Sequence, residues 1–170
     1  MDVYKAIQIK RAVRNFQQKP IPEEAIITIL NAGRRAQSAK NIQPWHFIAI
    51  RDKTTLTALS KLGTYAGHLA GAALAIAIIT PDPASRFSVM FDAGQAAAYM
   101  QLAAFNIGIA SCPATIYEPD KARELLAFPT DLYINVCLSF GYPLSEDDMT
   151  RPPQKGGRQP LDQLIHWEKW

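Results

Sequence analysis

One stretch, FSVMFDAGQAAAYMQLAAFN from Phe87 to Asn106, limits the possible folds more than any other part of the chain. It reads as a long alanine-rich helix with few charges and no broad polar face. Such a helix must be enclosed on most sides, by the core of its own chain or by another subunit. Gly108 ends it. The apolar runs WHFIAI (45–50), AALAIAIIT (72–80) and LYINVCLSFGYP (132–143) have the length of buried strands, and IASC (109–112) is a shorter candidate.

The remaining segments alternate helix and loop. Residues 2–10 have modest helical character. Pro20 and Pro22 open a clearer helix, with Glu23 and Glu24 favourably placed against its N-terminal dipole. Ile26, Ile29, Leu30 and Gly33 recur at helical spacing and form one buried stripe. Asp52 can cap a helix holding Leu56, Leu59 and Leu62, and EPDKARELLAF forms another. Three or four strands among about five helices predict an α+β domain. A tail with several prolines, ending in LDQLIHWEKW, has no obvious place in a compact monomer.

With 170 residues the chain fits one domain, residues 1–170. The longest apolar run, 69–79, is too short to cross a bilayer, and MDVYKAIQIKR lacks a signal-peptide layout. The expectation is a cytoplasmic protein with no membrane partner. Cys112 and Cys137 show no C-x-x-C spacing and read as reduced, buried strand cysteines. The net charge of +3 is unevenly spread, with basic groups gathered in IKRAVR (9–14), GRRAQSAK (33–40) and QKGGR (154–158). No long basic stripe with interleaved aromatics accompanies them, which argues against nucleic acid and for a small anionic ligand.

Several kinds of chemistry are excluded by motif. The chain holds no G-x-G-x-x-G after a strand, no phosphate-binding P-loop, no H-E-x-x-H and no G-x-S-x-G. His46, His68 and His166 are isolated, and His46 reads as a packed strand residue; no metal site is expected. Asp147 and Asp148 read as solvated loop acids. A chain with scattered anion-binding groups but no evident acid, base or nucleophile points to a cofactor that carries the chemistry. Basic groups in KRAVR suit a phosphate, and the amides of SAKNIQ suit the polar edge of a flat heterocycle.

The run IKRAVRNFQQKPIPEEAIITILNAGRRAQSAKNIQPWHFIAI resembles the opening of the nitroreductase-like flavoprotein family. The likeness continues through LAAFNIGIASC, the strand end SFGYP and the tail GGRQPLDQLIHWEKW, and so spans essentially the whole chain. It implies an α+β fold with a central, mainly antiparallel sheet flanked by helices. It also implies an intertwined homodimer whose arm, from about residue 150 to 170, wraps the partner, with FMN at the subunit interface. Lys10, Arg11 and Ala12 would lie by the phosphate and ribityl chain, and Arg14 near the pyrimidine edge. Arg158 would reach the phosphate. Gln37, Ser38, Ala39 and Asn41 would border the flavin from the other subunit, while Gln43 and Trp45 order and support their loop. The turn after IASC, at Pro113, Ala114, Thr115 and Ile116, would cover one flavin face, with a backbone N–H near Thr115 or Ile116 toward N5.

Three positions depart from the family's pattern. Lys10 stands where arginine is usual and loses the bidentate fork. Ala12 replaces a serine hydroxyl, worth about 1 kcal/mol if nothing else supplies that hydrogen bond. Gln37 replaces a proline. The activity implied is FMN-dependent transfer of hydride from NADH or NADPH to planar, electron-poor acceptors such as nitro compounds and quinones, by ping-pong kinetics and with no side-chain acid. Enone reduction, reductive dehalogenation, oxygen-using flavin chemistry and a non-catalytic flavin-binding dimer are the alternatives.

Overall fold

The computed structural model describes residues 2–152 and 156–170. Met1 and residues 153–155, including Lys155 of the third basic cluster, lie outside the described residues. Among the described residues five α-helices and four strands follow one another: α1 (Val3–Ile9), α2 (Glu23–Arg34), β1 (His46–Ile50), α3 (Lys53–Leu59), β2 (Leu74–Pro81), α4 (Ser88–Asn106), β3 (Ala110–Thr115), α5 (Pro119–Leu126) and β4 (Leu132–Gly141). The strands form one antiparallel sheet in the order β1-β2-β4-β3. The α+β expectation therefore holds, with every strand pairing in the sheet antiparallel.

The central strand β2 shows how the sequence builds two layers of core. Successive strand side chains point to opposite faces. Leu74, Ile76 and Ile78 join α2 and α4 in a cluster with Ile29, Met100, Leu138 and Phe140. Ala75, Ala77 and Ile79 face the other way, against Leu56, Leu59, Ile116, Phe128, Ile134 and Cys137. Both faces are covered, so the run reads as continuously apolar. A third cluster, Ala6, Val13, Phe16, Phe105, Ala110 and Met149, fastens α1 and the KRAVR segment to the C-terminal half of α4.

Local signals set the boundaries. Asp52 caps α3, accepting from the Thr55 N–H at 2.7 Å. Pro119 occupies the first turn of α5, and Ala127 closes it in the left-handed conformation. Gly108, at φ 76°, follows α4 where a left-handed residue stops a helix.

The chain differs from expectation in two places. IASC extends into a six-residue strand, so Pro113, Ala114 and Thr115 lie in β3 and not in a turn after it. Proline is tolerated there because β3 is an edge strand. Its register alternates hydrogen-bonded and non-bonded pairs, and the Ile116 N–H donates to the Asn135 carbonyl at 2.9 Å. The Pro113–Leu138 pair is then a non-bonded one, and the missing N–H costs no ladder bond. His46 is exposed on the outer strand β1, not packed. As for α4, expected to be enclosed by the core or by another subunit, its own chain leaves Met90, Phe91 and Tyr99 exposed, so within the chain the enclosure is incomplete.

Both cysteines are free and buried, as the sequence suggested. Burial pushes the Cys137 thiol from 9.0 up to about 12. The folded chain thus holds it neutral where the unfolded chain ionises. Stability present below pH 9 should fall as pH rises from there toward 12, by about 1.4 kcal/mol per pH unit. Denaturation midpoints at stepped alkaline pH will check this, and Cys137→Ala should remove that component. Neither thiol should react with a bulky thiol reagent until the protein unfolds.

Candidate functional site

The KRAVR segment leaves α1 and runs beside the free edge of β3. Ala12 bridges Ser111 in parallel fashion, and the Val13 N–H donates to the Ser111 carbonyl at 3.1 Å. Two cavities flank this segment. One, of about 510 Å³, is lined by Arg14, Asn15, Tyr65, Gly67, His68 and Gly71. The other, of about 160 Å³, is lined by Ala12, Val13, Arg14, Asn15, Asp148 and Arg151. Arg14 and Asn15 border both.

The basic groups divide by what they already hold. Lys10 Nζ donates to Gln101 Oε1 on α4 at 3.0 Å. Burial lowers its pKa, and the nearby Cys112 acts weakly the other way. Arg11 is committed to backbone, donating to the carbonyls of Gln8, Lys10 and Arg151. It therefore fastens the end of α1 to the start of the C-terminal segment. Arg14 is exposed and has no hydrogen bond or ion pair among the described residues. Its charge still reaches inward, where it opposes protonation of His68 and favours the thiolate of Cys112. Arg158 is exposed on the tail.

His68 was not singled out by its sequence context. It is 9% exposed, and its Nδ1 lies 2.8 Å from Ser139 Oγ, which in turn donates to the Cys112 carbonyl at 3.1 Å. Nε2 has no hydrogen-bond partner among the described residues. Burial first, and then the Arg14 charge, lower its pKa, while the Pro113 carbonyl raises it. Arg151 was also missed. It pairs with Asp148 at 3.0 Å and puts a second guanidinium beside the smaller cavity, so Asp148 is no longer a simple solvated acid.

Along β3 the same alternation sets which backbone amides are available. The Ile116 N–H is engaged by Asn135, so Ile116 cannot offer it to a ligand. Thr115 pairs with Val136 at a non-bonded position, and its N–H and carbonyl turn toward the free edge. Gly63 packs against that carbonyl so closely that an added Cβ would lie 2.1 Å from the oxygen.

The second polar segment lies elsewhere. Ser38 to Gln43 form a tight turn in which Lys40, Asn41 and Gln43 have φ of 56°, 54° and 53°. Ser38 Oγ accepts from the Gln43 N–H at 2.9 Å. The Ala39 N–H reaches Asp92, and Gln95 Nε2 donates to the Gln37 carbonyl at 3.4 Å. Trp45 is buried beneath the turn and stacks with Phe47, while Gln43 is exposed and contributes through its backbone. Asn41 is exposed.

Helix α4 separates the two segments. KRAVR meets it at Gln101, and the SAKN turn meets it at Asp92. Nine residues at 100° each place these positions on opposite faces, about 13 Å apart along the axis. One chain therefore gathers Lys10, Ala12, Arg14 and Thr115 on one side, and Gln37, Ser38, Ala39 and Asn41 on the other.

The donor set beside β3 fits a planar, anion-bearing cofactor such as FMN. It combines guanidinium groups free of backbone duty and an edge-strand N–H with one acceptor, Nε2 of His68, since the Nδ1–H of that ring is given to Ser139 Oγ. Among the described residues no group of three or more potential metal ligands occurs, and no helix is long and apolar enough to cross a membrane.

The comparisons agree with this architecture. A profile of the Nitroreductase family matches residues 7–64 and 56–142. A protein from Archaeoglobus fulgidus, provisionally named an NADH dehydrogenase/NAD(P)H nitroreductase, is 32% identical over 98% of this chain and 97% of its own. The solved structure of an FMN-dependent nitroreductase from Clostridium difficile superposes with a TM-score of 0.82 at 27% identity, covering 97% of this chain and 98% of that one. NfrA2 from B. megaterium, at 21% identity, shares the fold with a TM-score of 0.89 over 100% of this chain and 76% of its own. This chain belongs to the nitroreductase family, a family of oxidoreductases.

Proposed function

We propose that the protein is an FMN-dependent oxidoreductase that takes hydride from NADH or NADPH and reduces planar, electron-poor acceptors such as nitro compounds and quinones. We propose further that a homodimer builds each site. The observation that carries the second point is the division of the site residues by α4. KRAVR and SAKN of one chain meet opposite faces of α4, so a flavin seated on KRAVR has that helix between it and the SAKN turn of its own chain. A second copy related by a two-fold axis can present its SAKN turn to the first copy's KRAVR, and the reverse.

The exposed apolar surface supports that reading. Phe87, Phe91, Gly94 and Ala98 are spaced four, three and four residues apart and form an uncovered stripe on α4. Leu161, Leu164, Trp167 and Trp170 are exposed on the tail, where they have no core of their own. A large apolar patch of this kind marks an association surface. The tail from about residue 150 is read as an arm lying on the partner.

Bound FMN would supply the capacity to accept a hydride and pass it on. The residues of this chain bind and tune it. Arg14 would place a fixed positive charge near the pyrimidine edge and favour negative charge there. Arg151 and Arg158 would lie near the phosphate, Lys10 would contribute if it leaves Gln101, and Arg11 would do so only by releasing its backbone carbonyls. The Thr115 N–H would offer a backbone donor at the edge of the ring. No side-chain acid is required.

The reading is tested by loading the purified protein with FMN and mixing it anaerobically with each nucleotide. The flavin absorbance should bleach with NADH or NADPH and return when a quinone is added. A loaded protein that neither nucleotide bleaches is not the oxidoreductase proposed here.

A further inference from the structure

Asp92 is an unusual residue in its position. It lies inside the apolar helix α4, is 1% exposed, and is the sole charged side chain between Arg86 and Glu118. Aspartate is a poor mid-helix residue, and a buried carboxylate carries a desolvation penalty. Packing of α4 therefore does not explain it. Its partner does: Oδ1 and Oδ2 accept from the Ala39 N–H at 3.2 and 3.3 Å. Arg86 Nη2 holds the carbonyl of the same residue at 3.3 Å, and Gln95 holds Gln37.

The turn so held does not favour its own conformation. Lys40, Asn41 and Gln43 all adopt left-handed backbone without being glycine. Asparagine tolerates that region, whereas lysine and glutamine do so less readily. Such backbone persists where the surroundings over-determine it.

We propose that Asp92 is a positioning residue, a latch inside α4 that fixes the SAKN turn so that Asn41 is presented to FMN. The proposal rests on the functional reading above. Asp92 does not touch the cofactor; it acts through the Ala39 peptide.

Two measurements on the purified protein test it. In Asp92→Ala, hydrogen exchange at the Ala39 amide should accelerate while the sheet amides stay protected. The FMN dissociation constant should rise about tenfold, the loss expected for one hydrogen bond to a charged acceptor. Asp92→Asn keeps an oxygen at the same place and should restore most of the affinity. In an Asn41→Ala background the Asp92→Ala change should add less than about twofold, because the residue it positions is gone. Equal losses in both backgrounds, or unaltered exchange at Ala39, would overturn the latch. Should Asp92→Ala fail to fold, Arg86→Ala loosens the same residue through its carbonyl, in the next peptide group. That variant should weaken FMN about threefold, with the same coupling to Asn41; no coupling would count against the proposal. A wild-type protein that takes up no FMN defeats the functional reading, while exchange at Ala39 in the same variants still decides whether the latch exists.

Discussion

Arg14→Ala should weaken FMN binding by about 10- to 100-fold while leaving the fold intact. The range follows from losing a charge-assisted contact worth about 1.5–3 kcal/mol. The separation of the two effects follows from the structure. Arg14 has no hydrogen bond or ion pair among the described residues, so its removal leaves nothing in the protein unsatisfied. Unfolding should move by no more than about 0.5 kcal/mol, as for other surface substitutions. The same variant carries a readout that needs no flavin. The Arg14 charge helps keep His68 neutral. Without it the His68 pKa should rise toward its ordinary value, visible in an NMR titration of the imidazole. Arg14→Lys should keep most of that effect. Unchanged FMN affinity in Arg14→Ala would remove the residue from the site.

Gly63→Ala should be costly for a different reason. The new Cβ would lie 2.1 Å from the Thr115 carbonyl oxygen, a backbone atom that cannot swing aside as a side-chain end can. The loop holding Gly63 is tied to the same place, because the Tyr117 N–H donates to the Leu62 carbonyl at 2.8 Å. Relief must come from moving the end of β3. Overpacking of this kind costs about 3 kcal/mol, which for a chain of this size lowers Tm by about 6–12 °C. The displaced peptide includes the Thr115 amide, so FMN affinity should fall along with Tm. Thermal unfolding and flavin titration of the variant measure both. A variant with wild-type Tm would show that the Gly63–Thr115 contact does not constrain β3.

Much of the fold was legible because it follows periodicity. The α2 stripe of Ile26, Ile29 and Gly33 and the continuous run of β2 each carry a burial pattern that few other structures could satisfy. The extent of β3 was not legible. Pro113 looked like a strand terminator, and only the pairing register shows it at a position that needs no N–H. His46 was misjudged because nothing in WHFIAI says that β1 is an outer strand.

For the candidate site, the family resemblance names segments. Individual contacts were less readable, because they depend on which groups are already engaged. Arg11 looked the equal of Arg14 in KRAVR, yet the fold commits its guanidinium to three carbonyls and leaves Arg14 free. Ile116 and Thr115 differ by one residue, and strand alternation makes only one of their amides available. Asp92 left a signal that went unread: a single charge inside a long apolar helix. His68 and Arg151 left none, since the groups that give them meaning are distant in the chain.

The central claim is that each flavin site draws KRAVR from one chain and SAKN from another. Mixing two damaged variants tests it most directly. Arg14→Ala and Asn41→Ala homodimers should each bind FMN weakly, since every site carries one lesion. A heterodimer of the two should contain one doubly damaged site and one intact site, binding one FMN per dimer with wild-type affinity. Heterodimers confirmed by mass that recover no tight FMN site would contradict the shared site and place both segments around a flavin within one chain.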